Sequence, residues 1–92
     1  MPKLYKLGQY SVFFWSDENG EAIHVHICIG SAMPNATKIW LTANGDCIVA
    51  HNRSKIPRSD LNEIIESIRT NHLLICSEWK KHFNVDIIKF YC

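Results

Sequence analysis

The stretch Ala22-Ile23-His24-Val25-His26-Ile27-Cys28-Ile29 alternates strictly between two kinds of side chain. In a β-strand successive side chains point to opposite faces. Ile23, Val25, Ile27 and Ile29 therefore share one face, and Ala22, His24, His26 and Cys28 share the other. A strand with one apolar and one polar-aromatic face belongs in an antiparallel sheet covered on one side. Its polar face carries the only concentrated chemistry in the chain.

The neighbouring segments extend this sheet. Residues 9–15 are rich in aromatic and β-branched residues and predict a strand that pairs with 22–29 across the turn Ser16-Asp17-Glu18-Asn19-Gly20. Gly30 to Asn35 reads as a loop, with Pro34 resisting both helix and central strand. Two further strands are expected over 37–41 and 47–51, joined by Asn44-Gly45, the strongest short-range hairpin signal here. A two-residue turn would set Leu41 opposite Ile48 and Ile39 opposite Ala50 on an apolar face. Trp40 would then face Val49, and Lys38 would face His51. In a simple meander His24, His26, Lys38, Trp40 and His51 all face the same way.

From Leu61 onward the period changes. Leu61, Ile64, Ile65, Ile68, His72, Ile75, Trp79 and Phe83 recur at spacings of three and four, which predicts one long helix over about 60–83. Pro57 precedes it, Ser59 or Asp60 can cap it, and Glu63 completes a capping-box pattern with Asp60. Lys80, Lys81 and His82 complement the dipole at its end. His72 lies on the apolar stripe, where a satisfied core or boundary histidine is expected, and Trp79 and Phe83 read as core or interface anchors. Leu73, Leu74 and Cys76 lie off the stripe, so a further strand, with 85–91 as the candidate, or a partner should cover that side. The fold expected is α+β in two layers: an antiparallel sheet of four to five strands with one long C-terminal helix across one face, in a single domain spanning 1–92.

Composition narrows the function classes. With 47% hydrophobic and 21% charged residues in 92, the chain is neither disordered nor membrane-spanning, and no apolar run nears the roughly 20 residues a span needs. The net charge of +1 argues against a strongly electrostatic nucleic-acid binder. The N-terminus lacks the apolar core of a signal peptide, so a cytoplasmic location is expected. Cys28, Cys47, Cys76 and Cys92 form no Cys-x-x-Cys pair and read as free thiols in a reducing compartment.

Three patterns bear on chemistry. His24 and His26 could share a divalent metal, but Cys28 lies about 13 Å from His24 along the strand. A metal site would thus need further ligands from another strand, His51 or Cys47 being available. The alternative is that both histidines decorate a half-exposed face with no cofactor. In the second pattern His24 and His26, near His51 and Lys38 as further candidate catalytic residues, would divide acid and base roles in RNA cleavage, with Lys38 stabilising the developing phosphorane charge. The same residues with Trp40 would equally suit contact with a protein partner. In the third, Arg53, Lys55 and Arg58 stand just before a helix N-terminus, where a nucleic-acid phosphate would be attracted; a solvated basic loop is the simpler account. No nucleophile motif, Gly-rich phosphate loop or dinucleotide fingerprint is present.

Several short segments fall in a recognisable order: Tyr10-Ser11-Val12-Phe13-Phe14-Trp15-Ser16, His24-Val25-His26, Ala36-Thr37-Lys38-Ile39-Trp40-Leu41, Asn52, and the Leu61–Trp79 helix. The order resembles the family of small bacterial proteins catalogued as domain of unknown function 4160, over roughly residues 9–84. In one departure, Glu21-Ala22-Ile23 stand where prolines often precede the family's His-x-His. The resemblance implies cytoplasmic bacterial proteins of toxin–antitoxin-like gene pairs and supplies no established reaction. Two functions are expected on this basis. One is a protein-binding component of such a pair, binding a partner or itself through the open sheet face, a strand edge or the apolar end of the helix. The other is a small RNA-acting toxin using the His-x-His strand, with or without a metal.

Overall fold

The computed structural model describes residues 3–15, 20–30 and 34–92. Five strands, β1 (Lys3–Leu7), β2 (Tyr10–Phe13), β3 (His24–Ile29), β4 (Thr37–Leu41) and β5 (Cys47–His51), form an antiparallel meander in chain order. Two helices follow, α1 (Arg58–Thr70) and α2 (His72–Phe83). The expected turn at 16–19 and the loop positions 31–33 lie outside the described residues. Strand β1 was not expected from the sequence. Leu4, Tyr5 and Leu7 pack on the main core, while Lys3 and Lys6 are exposed.

The alternation in β3 organises the core. Val25 and Ile27, with Ile23 just before the strand, are fully buried among Val12, Phe14, Ile39 and Leu41 and the helix side chains Leu61, Ile64, Ile68, Ile75 and Trp79. Burial of each such aliphatic or aromatic side chain contributes about 1.5–3 kcal/mol, which makes this layer the main source of stability. Phe13, Cys28 and Ala36 form a second, smaller cluster, with Trp15 packed against it.

Four expectations are corrected. The β4–β5 connection runs from Thr42 to Asp46 rather than through a two-residue turn: Thr42 N–H donates to the Asp46 carbonyl (2.9 Å), and the Thr42 hydroxyl accepts from Asp46 N–H (3.1 Å). Trp40 therefore pairs with Ile48 and Ile39 with Val49, one residue away from the expected register. A one-residue slip exchanges faces. Val49 accordingly packs on the helix side, and Ile48 is 42% exposed. An irregularity between Lys38 and Ile39 absorbs the slip, so Lys38 still pairs with His51.

The single long helix is two. Leu61, Ile64, Ile68, His72, Ile75 and Trp79 are buried as one stripe, but Asn71 (φ −101°, ψ 18°) leaves helical geometry and separates α1 from α2. Thr70 Oγ1 donates to the Glu66 carbonyl (3.0 Å) and Asn71 Nδ2 to the Ser67 carbonyl (2.9 Å). Side chains bonding the i−4 carbonyl share it with the backbone ladder, here at Ser67, where Asn71 N–H also donates (3.0 Å), and so weaken the helix at this point. At the start of α1 no side chain caps the helix. Asp60 lies in the first turn and accepts the Tyr10 hydroxyl (2.6 Å), which holds that hydroxyl above its ordinary pKa.

The last correction concerns 85–91, which form no strand. Asn84 ends α2 in the left-handed conformation (φ 53°), and the chain then runs irregularly along the core, burying parts of Val85, Ile88 and Phe90. Among the described residues no helix is long and apolar enough to cross a membrane.

Candidate functional site

The strand pairings align the polar-aromatic side chains in two cross-strand rows. His26 pairs with Phe13 on β2 and Lys38 on β4, and Lys38 pairs with His51 on β5. In the next row His24 pairs with Trp40, and Trp40 with Ile48. His24, His26, Lys38, Trp40 and His51 are thus brought to neighbouring positions by the meander and the bulge together.

Their surroundings are those of a packed aromatic layer. His24 is fully buried, with its Nδ1 2.8 Å from the Ala22 carbonyl and its ring edge-on to Trp40 (5.3 Å), His26 (5.0 Å) and Trp79 (5.4 Å). His26 stacks on Phe13 (5.6 Å, 29°) and lies 6.2 Å from Trp15. Such ring pairs contribute roughly 0.5–1.5 kcal/mol each beyond the area they bury. Lys38 Nζ stands 4.2 Å above the Trp40 ring and pairs with Glu21 (3.2 Å). His51 is half-buried; burial first, then the charges of Arg53, His26 and Lys38, hold its pKa below the ordinary histidine value.

This geometry bears on each chemistry. Among the described residues no three His, Cys, Asp or Glu side chains are grouped to hold a metal ion. Cys47 packs on the helix side, away from the His24–His26 face, and burial pushes its thiol up to about 11. General acid–base work on a polymer needs a base the substrate can reach. Buried His24 and nearly buried His26 offer little reach, and Lys38 is engaged on two sides.

The cationic loop forms a different surface. Asn52 ties it together: its Oδ1 accepts from Ile56 N–H (3.0 Å) and the Thr37 hydroxyl (2.7 Å), and its Nδ2 donates to the Ile56 carbonyl (3.0 Å). Arg53 and Lys55 are exposed and line a cavity of about 360 Å³ with Tyr10, Ile29, Ser54 and Pro57. Arg58 is exposed on the first turn of α1 and does not line it. His72, off both surfaces, is a satisfied boundary histidine, with Nε2 2.8 Å from the Thr42 carbonyl.

A third surface was only hinted at by Leu73, Leu74 and Cys76. Between α2 and the C-terminal segment lies a groove of about 530 Å³ whose walls include His72, Leu73, Cys76, Ile87, Ile88 and Phe90. Leu73 is 83% and Ile87 85% exposed. Sequence reasoning also missed Glu21 as the partner of Lys38 and Tyr91 as the ring stacked on Trp40 (5.0 Å, 9°). Both contacts span long sequence separations and leave no local pattern.

No curated protein and no solved structure matches the chain. A family model described as domain of unknown function (DUF4160) matches residues 10–80, which takes in β2 to β5, the aromatic–histidine rows, the Asn52 loop and nearly all of the helical stripe. The chain belongs to the DUF4160 family.

Proposed function

We propose that this protein is a non-catalytic module that binds a protein partner, as one member of a two-protein pair of the toxin–antitoxin type. The observation that carries the reading is the clustering of Leu73 and Ile87, both more than four-fifths exposed, on the rim of the apolar groove beside α2. Single exposed aliphatics are ordinary, but two large ones flanking a groove are the mark of a contact surface. The occupant we assign is an apolar segment of the partner, with Lys80 and Asp86 at the groove orienting it by charge. The burial of His24 and the engagement of Lys38 support binding over RNA cleavage.

The test is affinity capture with the full chain beside Leu73→Glu and Ile87→Glu variants. One and the same protein should be retained by the parent and lost from both variants, with thermal unfolding unchanged. Induced expression of the parent and a His24→Ala/His26→Ala variant gives the opposing arm. Growth arrest with RNA breakdown by the parent alone would replace the binding reading with the nuclease one.

A further inference from the structure

The last four residues cross the end of the sheet and grip it on both sides. Ile23 N–H, just before β3, donates to the Lys89 carbonyl (2.9 Å), and Ala43 N–H, just after β4, donates to the main-chain oxygen of Cys92 (2.9 Å). Between these anchors the side chains diverge. Phe90 lies parallel to His72 (6.3 Å, 10°) and packs against the main core. Tyr91 lies parallel to Trp40 (5.0 Å, 9°), the ring that also carries Lys38. Residues 89–92 belong to no helix or strand, and Tyr91 remains 61% exposed in its stack. The strands they clasp are different, since Val25, Ile39 and Leu41 are fully buried.

We propose that residues 89–92 form a strap that opens and closes over the Trp40 end of the sheet without global unfolding, with the Tyr91–Trp40 stack as its catch. Segments with few buried contacts and few backbone bonds open at a lower free energy than the core they lie on. Opening would bare the Trp40 ring and remove Phe90 from the wall of the α2 groove. The strap thus gates an aromatic surface on one side and remodels the groove on the other. It lies beyond residue 80, where the family match ends. The inference does not rest on the partner-binding reading, because its readout needs no partner.

Amide hydrogen exchange of the 92-residue protein tests it. Ile23 and Ala43 report the strap, since their acceptors are Lys89 and Cys92; Leu41 N–H, bonded to the Ile23 carbonyl (3.1 Å), reports the sheet beneath. Ile23 and Ala43 should exchange through an opening nearly independent of denaturant, and Leu41 through one that depends on it. Tyr91→Ala should speed exchange at Ile23 and Ala43 by roughly 2- to 12-fold from loss of the stack and leave Leu41 unchanged. Equal acceleration at all three amides would overturn the proposal, because the segment would then belong to the cooperative core. No acceleration anywhere would overturn it too, because the stack would not be the catch.

Discussion

Asn52→Ala should be among the most damaging substitutions outside the apolar core. The Asn52 side chain makes three hydrogen bonds that close the β5–α1 loop, two of them to the backbone N–H and C=O of Ile56, a residue only 6% exposed. Truncation leaves both groups without those partners, while the Thr37 hydroxyl keeps Ser54. An unsatisfied buried backbone group costs about 1–3 kcal/mol, and because both Asn52–Ile56 bonds are only partly buried the two together give roughly 2–4 kcal/mol. That is a large share of the roughly 5–15 kcal/mol that stabilises a domain. Urea unfolding should show the midpoint falling by roughly 1–2 M with the slope unchanged, and Tm should fall by at least about 8 °C. Arg53→Ala, next in sequence and exposed, should stay within about 0.5 kcal/mol. A loss below about 1 kcal/mol for Asn52→Ala would refute the reasoning, since the loop would then be held by its neighbours or by water.

Trp79→Ala should cost roughly 3–5 kcal/mol by calorimetry, because the ring is 3% exposed against Phe14 (5.1 Å), Phe83 (4.5 Å) and His24 (5.4 Å); Leu73→Ala should cost almost nothing. His51 should titrate below 6.5 in an NMR pH series, and a midpoint at or above 6.5 would contradict the burial and neighbouring cations assigned to it. The sign for stability follows from the depressed folded pKa. As pH falls below 6.5 the unfolded chain takes up the proton first, so stability present above 6.5 is lost on acidification, and His51→Gln should lessen that loss.

The two strongest periodicities were legible because each is local. Alternation placed Val25 and Ile27 in the core and the histidines on the opposite face, and the three-four spacing picked out Leu61, Ile64, Ile68, His72, Ile75 and Trp79 as one buried stripe. The Trp40–Ile48 register was not legible, since Asn44-Gly45 reads as a two-residue turn unless the Thr42 hydroxyl's bond to Asp46 is known. The interruption at Asn71 was hidden for the same reason: Thr70 and Asn71 are tolerable in a helix, and only the structure shows their side chains bonding the i−4 carbonyls.

For the candidate surfaces the division is sharper. The sequence by itself determined which residues could carry chemistry, and that His24 and His26 share a strand face, because strand periodicity depends only on backbone geometry. Only the tertiary structure decided that Trp40 and Trp79 close over His24, that Glu21 takes Lys38, that Tyr91 stacks on Trp40, and that Leu73 and Ile87 rim a groove. Each of these contacts joins residues distant in sequence, and their meeting depends on the path of connections whose geometry no local pattern encodes.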